Sequence, residues 1–139
     1  MKVLVDLNVL MDVLQRREPF FASAAALCGW GEKRGNTLAI PAHAVTTVAY
    51  VVRKTAGADA EGKALDWLLK NFTVLPSDVN VFRMARALGM GDFEEAVVAA
   101  SASAAGCAYV ITRNVADFSQ SPVPAVQPAE FLSLQMVNQ

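Results

Sequence analysis

Apolar residues in this chain fall into short continuous runs separated by longer stretches in which they recur every three or four positions. Val3-Leu4-Val5 is such a run, ends at Asp6 and predicts a buried strand. From Asn8 to Arg16 the spacing is helical, with Val9, Leu10, Val13 and Leu14 on one face, and Pro19 breaks the pattern. Phe20 to Lys33 is a second, alanine-rich helical stretch closed by Gly35. Leu38-Ala39-Ile40 predicts a strand ended by Pro41. His43 to Lys54 then predicts a helix stopped by Gly57, although its β-branched residues weaken the helical signal. Asp59 to Asn71 predicts a further helix with Leu65, Leu68 and Leu69 inward.

The second half repeats the scheme. Phe72 to Leu75 predicts a strand, Pro76 ends it, and Ser77 is placed to cap a helix over Asp78 to Leu88. Gly89 and Gly91 interrupt the chain before an alanine-rich helix from Asp92 to Ala105, closed by Gly106. Ala108 to Thr112 predicts a strand, Phe118 to Pro122 a loop, and Val123 to Val126 a last strand. Pro128 to Leu134 predicts a terminal helix with proline at its start. Strands separated by helices imply a parallel sheet covered on both faces, in one domain spanning 1–139 without repeats or linkers. In such sheets ligands bind beyond the carboxyl ends of the strands. That rule directs attention to Asp6, to the residues after Ile40 and to those after Thr112.

Composition narrows the classes. Hydrophobic residues make up 54% of the chain and charged residues 18%, which is a globular rather than a disordered balance. The apolar runs are too short and too interrupted by charge to span a membrane, and no basic region followed by a long apolar run opens the chain. A cytoplasmic location is expected. Net charge is -1, so any nucleic-acid contact requires a local basic patch, for which Arg16, Arg17, Arg53, Lys54 and Arg113 are candidates. Cys28 and Cys107 lack metal-ligand spacing and are expected to be buried thiols.

The candidate chemistry is carboxylate chemistry. Asp6 follows the first strand and Asp117 lies just past the fourth. Asp92 and Glu95 share a face at the start of a helix. Each has a purely structural alternative, since Asp caps helices and turns and Asp-x-x-Glu resembles a capping box. Together they place acids at one edge of the sheet. Clustered carboxylates repel unless a cation neutralises them, and hard oxygen donors suit Mg²⁺ or Mn²⁺.

At this point the sequence resembles the PIN family. Val3-Leu4-Val5-Asp6-Leu7-Asn8-Val9-Leu10 looks like the family's strand followed by Asp-Thr-Asn-Val. Asp92-Phe93-Glu94-Glu95-Ala96 resembles its Asp-Phe-Glu-Asp-Ala, and Ile111-Thr112-Arg113-Asn114 followed by Asp117-Phe118 resembles its Thr-Arg-Asn with a later Asp-Phe. Pro41-Ala42-His43 through Arg53-Lys54 and the tail from Pro122 to Leu132 fit in order, so the likeness covers nearly the whole chain.

The resemblance implies an α/β, PIN-like three-layer sandwich with a central parallel sheet of about five strands. It also implies similarity to VapC-type toxins: metal-dependent endoribonucleases, commonly homodimers, paired with an antitoxin protein. Carried over, the catalytic and metal positions are Asp6, Glu95 and Asp117, with Asp92 at the edge. Asn8, Thr47, Arg113, Asn114 and His43 are candidates for contacting the RNA. Three departures stand out. The family's helical Glu falls at Thr47, Glu95 stands for an Asp, and Leu7 replaces a Thr. A competing expectation is therefore a degenerate PIN domain that binds RNA or a protein partner without cutting.

His43, the only histidine, reads first as a structural residue, with phosphate contact or proton transfer as the alternative. Trp30 and Trp67 fall in helical apolar stripes and are expected in the core or an interface rather than as base-stacking platforms; with the alanine-rich helices around them they suggest a homodimer face. A phosphatase of the haloacid dehalogenase type needs an Asp where Asn8 stands. A phospho-receiver domain needs paired acids after the first strand and a late Lys, and neither set is found.

Overall fold

A computed structural model describes residues 1–138. Five strands, β1 (Lys2–Val5), β2 (Thr37–Pro41), β3 (Thr73–Leu75), β4 (Tyr109–Ile111) and β5 (Ala125–Val126), form one sheet in the order β3-β2-β1-β4-β5. Every pairing is parallel. Seven helices cover it: α1 (Leu7–Leu14), α2 (Phe21–Gly31), α3 (Ala42–Ala56), α4 (Ala58–Asn71), α5 (Val79–Ala87), α6 (Phe93–Ala104) and α7 (Pro128–Val137). The three-layer α/β/α architecture is the one expected. No helix among the described residues is long and apolar enough to cross a membrane.

The pleat sorts the strands' side chains into two cores, because successive residues of a strand point to opposite faces. Val3 and Val5, Leu38 and Ile40, and Ile111 join the core built with α1, α2, α3, α4 and α7. Leu4, Ala39 and Val110 join the other, against Val98, Ala99 and Ala102 of α6. A third, small cluster ties α5 to α6 through Val81, Ala85, Ala96, Val97 and Ala100. Both faces of the sheet are therefore buried, which is why the strands read as continuous apolar runs.

The structure corrects several local expectations. Helix α1 starts at Leu7 and ends at Leu14, followed by Arg16 in a left-handed conformation at φ 47°. Val9 and Leu10 are buried and Val13 and Leu14 pack half-buried against the same core, as expected, while Met11 and Asp12 are buried as well, so α1 is covered beyond its apolar face and takes in an acid. Asp78, not Ser77, caps α5 by accepting from Val81 N at 3.0 Å, while the buried Ser77 Oγ has no partner. A 3₁₀ turn over Val115–Phe118 precedes the expected loop, and α7 continues to Val137. Cys107 is buried as expected, but Cys28 is only half-buried. Trp30 does not face outward: its ring meets Phe131 of α7 edge-on at 4.8 Å and lies in the core. Trp67 is half-buried, edge-on to Phe72 at 5.1 Å.

Candidate metal centre

Strand order sets where a site can form. From β1 the chain crosses to β2 on one side, and later enters β4 on the other, so the carboxyl ends of β1 and β4 flank a crevice at the sheet's switch point. Asp6 leaves β1 at that point and Thr112 leaves β4 beside it. The Asp6 amide donates to Ile111 O at 2.9 Å, which stitches the two strand ends together.

Asp6 is nearly buried. Its Oδ1 accepts from the Leu7 amide at 2.8 Å as the cap of α1, and its Oδ2 accepts from Thr112 Oγ1 at 2.8 Å. Burial pushes its carboxyl above the usual value, and the charge of Glu94 adds to the shift. The Thr112 and Leu7 hydrogen bonds and the nearby His43 oppose it. Thr112 acts as a hub: its hydroxyl also accepts from the Asn114 amide at 3.0 Å and from Asn8 Nδ2 at 3.2 Å. Asn8 Oδ1 in turn accepts from the Arg113 amide at 3.2 Å. Asn8 thus fastens the first turn of α1 to the segment after β4. Thr112 and Asn8 are side chains that position Asp6.

Glu95 reaches the same crevice from α6. Asp92 caps this helix, its Oδ1 accepting from the Glu95 amide at 3.0 Å, so the capping alternative for Asp92 is real. Glu95 itself is held well above its ordinary value, at about 7. Burial is the largest cause, followed by the charges of Asp117, Asp92 and Asp6. Its Oε2 is buried and has no hydrogen-bond partner. Asp117 sits exposed on the 3₁₀ turn, which buried Phe118 anchors beneath. Acids from three parts of the chain, Asp6, Asp92 and Asp117, are therefore near enough to act on Glu95. Among the described residues, however, no three His, Cys, Asp or Glu side chains stand together as a ready-made metal cluster.

The polar candidates are placed less uniformly. His43 Nε2 lies 3.5 Å from Glu94 Oε1, linking the start of α3 to the start of α6. Glu94 was not singled out from the sequence, where it reads as a solvated helix residue. Thr47 is half-buried on α3 and turns its hydroxyl back to His43 O at 3.0 Å. Asn114 is exposed, and its carbonyl accepts from the Asp117 amide at 3.0 Å. Arg113 is not free. Its Nε donates to Asp12 Oδ2 at 2.7 Å, its Nη2 to Asp12 Oδ1 at 3.2 Å, and its guanidinium lies 4.0 Å from the Phe20 ring centre. Asp12 is buried on α1 beside the segment after β4, within reach of this guanidinium. A phosphate contact by Arg113 would have to compete with that pair.

Glu95 makes stability depend on pH in the metal-free protein. Its folded value, about 7, lies above its ordinary 4.5. The stabilisation from the protonated form is present below about pH 4.5 and is lost as pH rises to about 7. Part of the side chain faces water, so after screening we expect a loss of ~1 kcal/mol over that range. Urea midpoints at pH 5 and pH 7.5 read the effect, and Glu95→Gln is expected to flatten it. An equal pH dependence in both proteins would assign it to another group.

With that geometry in view, comparison with known proteins decides the family. The PIN domain family model matches residues 2–116. The chain belongs to the PIN domain family. No curated protein matches it in sequence. Among solved structures this PIN domain is similar to a toxin–antitoxin complex from Klebsiella pneumoniae, at 25% identity and a TM-score of 0.68, over 91% of this chain and 97% of that one. It is also similar to Mycobacterium tuberculosis VapC20, described as a sarcin-ricin loop cleaving toxin, at 16% identity, a TM-score of 0.70, and 91% and 99% coverage. PAE2754 from Pyrobaculum aerophilum aligns over 100% of this PIN domain and 91% of its own chain, at 19% identity and a TM-score of 0.61.

Proposed function

We propose that this PIN domain is a metal-dependent endoribonuclease and the toxin of a toxin–antitoxin pair. The observation that carries the reading is Glu95. Its Oε2 is buried without a partner, and the charges of Asp117, Asp92 and Asp6 disfavour its anionic form, so it calls for a proton, which Asp117 can share, or for a cation that neutralises the group. The donors are all oxygen, which suits Mg²⁺ or Mn²⁺. The set fits such an ion in chemistry and charge, while its side chains are not yet gathered as a closed cluster.

Asp6, Glu95 and Asp117 would hold the ion, with Asp92 at its edge. When bound, such an ion supplies charge to phosphoryl oxygens and activates water at neutral pH. The protein's own contribution is positional. Thr112 and Asn8 hold Asp6 at the switch point, Phe118 anchors the turn that carries Asp117, and the start of α6 delivers Glu95. In the metal-free protein, with a folded value of about 7, Glu95 can also exchange a proton near neutral pH. RNA is the substrate that the family and its toxin relatives suggest, and an antitoxin chain is the partner. The homodimer reading now rests on other residues than Trp30. Tyr50 and Leu69 are apolar side chains exposed on α3 and α4; Leu69, expected inward, is 61% exposed because α4 turns Ala64 and Leu68 to the core instead.

The second reading, binding without cleavage, is favoured by Thr47, an uncharged residue whose hydroxyl is tied to its own helix. Incubating a mixed RNA pool with Mn²⁺, and with chelator as control, separates the two. Cleavage that disappears with chelator is the expected result. An inert wild-type protein, together with metal-dependent cleavage by Thr47→Glu, would establish the degenerate reading instead.

A further inference from the structure

An aromatic pair stands at the start of α6, the helix that carries Asp92 and Glu95, and has no part in the roles assigned above. Phe93, the first residue of α6, stands between Asp92 and Glu94 in sequence and is 53% exposed. Phe82 of α5 is 41% exposed and stacks beside it, with ring centres 6.3 Å apart and planes 25° from parallel. Neither ring is needed to fill the α5–α6 contact, which Val81, Ala85, Ala96, Val97 and Ala100 form. Two large apolar side chains, roughly aligned and open to water, are thus held at the start of the helix that carries Asp92 and Glu95.

We propose that Phe82 and Phe93 form a stacking platform for an unpaired base of single-stranded RNA next to the bond to be cut. The inference rests on the nuclease reading and adds to it the grip on the substrate. Charge decides which part of the RNA meets the rings. The chain has a net charge of -1, the crevice is lined by acids, and Arg113 is committed to Asp12, so phosphates find little direct attraction there. A base presents a neutral π-face, and stacking works beside carboxylates without charge compensation. Arg86 lies four residues after Phe82 and so on the same helical face. It is exposed and has no carboxylate partner among the described residues, which leaves it available to a flanking phosphate. Rings without hydrogen-bonding groups predict tolerance of base identity and selection for unpaired over paired RNA.

The test uses the full chain with Asp6→Asn and chelator present, so that cleavage does not intervene. Its ligand is a single-stranded RNA oligomer carrying 2-aminopurine, a base whose fluorescence is quenched by stacking. We expect binding with quenching, about tenfold weaker binding and lost quenching with Phe93→Ala, the scale of one base on one ring, and recovery of both with Phe93→Trp. Duplex RNA should respond to none of the changes. No binding by the parent protein, or affinity and quenching unchanged within twofold in Phe93→Ala, overturns the platform. The second result in a protein that cleaves RNA with Mn²⁺ leaves the nuclease reading intact. Quenching that follows this pattern in a protein inert with Mn²⁺ removes the nuclease and keeps the platform. Both rings are exposed, so the substitutions are expected to leave the fold unchanged, which the thermal midpoint checks.

Discussion

Asp6→Asn should reduce metal-dependent RNA cleavage by at least ~100-fold and leave the thermal midpoint nearly unchanged. The activity term follows from charge. Asp6 is one of few anions available to a divalent ion, and an amide has nearly the same shape without the charge. Losing groups that merely orient metal ligands costs ~10–100-fold, so losing a ligand should cost more. The stability term is a near balance. Asn caps a helix about as well as Asp, so the Leu7 amide keeps its acceptor. The Thr112 hydroxyl already accepts from Asn114 and Asn8, and it loses the oxygen to which it donates, at a cost of ~1 kcal/mol. Against that, a buried charge that burial and Glu94 both disfavour is gone. Side-by-side cleavage time courses and melting curves measure the two terms. Equal cleavage by both proteins would place the activity at a different site or in a contaminant.

The largest effect on stability is expected at Asp12→Ala, a loss of ~3–5 kcal/mol. Asp12 is 1% exposed and receives two hydrogen bonds from Arg113, with Arg17 Nη1 a further 3.9 Å from its Oδ1. Removing the acid alone strands a guanidinium that is itself largely covered, at 25% exposure. Breaking one side of a buried pair costs more than replacing both sides with apolar groups of similar size. Asp12→Leu combined with Arg113→Met should therefore recover most of the loss. Urea midpoints for the single and double variants supply the cycle. A single-variant loss below ~1 kcal/mol would show that the pair is solvated in solution. The same change should loosen the Arg113–Asp117 segment, so it should lower activity as well as stability.

These residues also show how far the sequence reached. The order of strands and helices was legible because each strand is buried on both faces and reads as an apolar run, while glycines at positive φ such as Gly57 and Gly106 end helices where expected. The acids were legible as a group, since the edge rule for parallel sheets and the PIN-like motifs indicate the same positions. What the sequence could not supply was any fact that depends on which surfaces meet. Asp12 in an amphipathic helix reads as a solvent-facing residue. Only the packing of α1 beside the segment after β4 buries it and removes Arg113 from the free cations. Trp30 reads equally as core or interface until α7 returns from the far end of the chain to place Phe131 against it. Glu95 at helix spacing from Asp92 reads as half of a capping box. Its raised proton affinity arises when burial joins the charges of Asp117 and Asp6, brought from segments remote in the chain. Local periodicity determined the elements of this protein, because backbone and burial preferences act over a few residues. Long-range packing alone decided the electrostatics of its crevice, because the strength of a charge interaction is set by distance and dielectric, which no local pattern encodes.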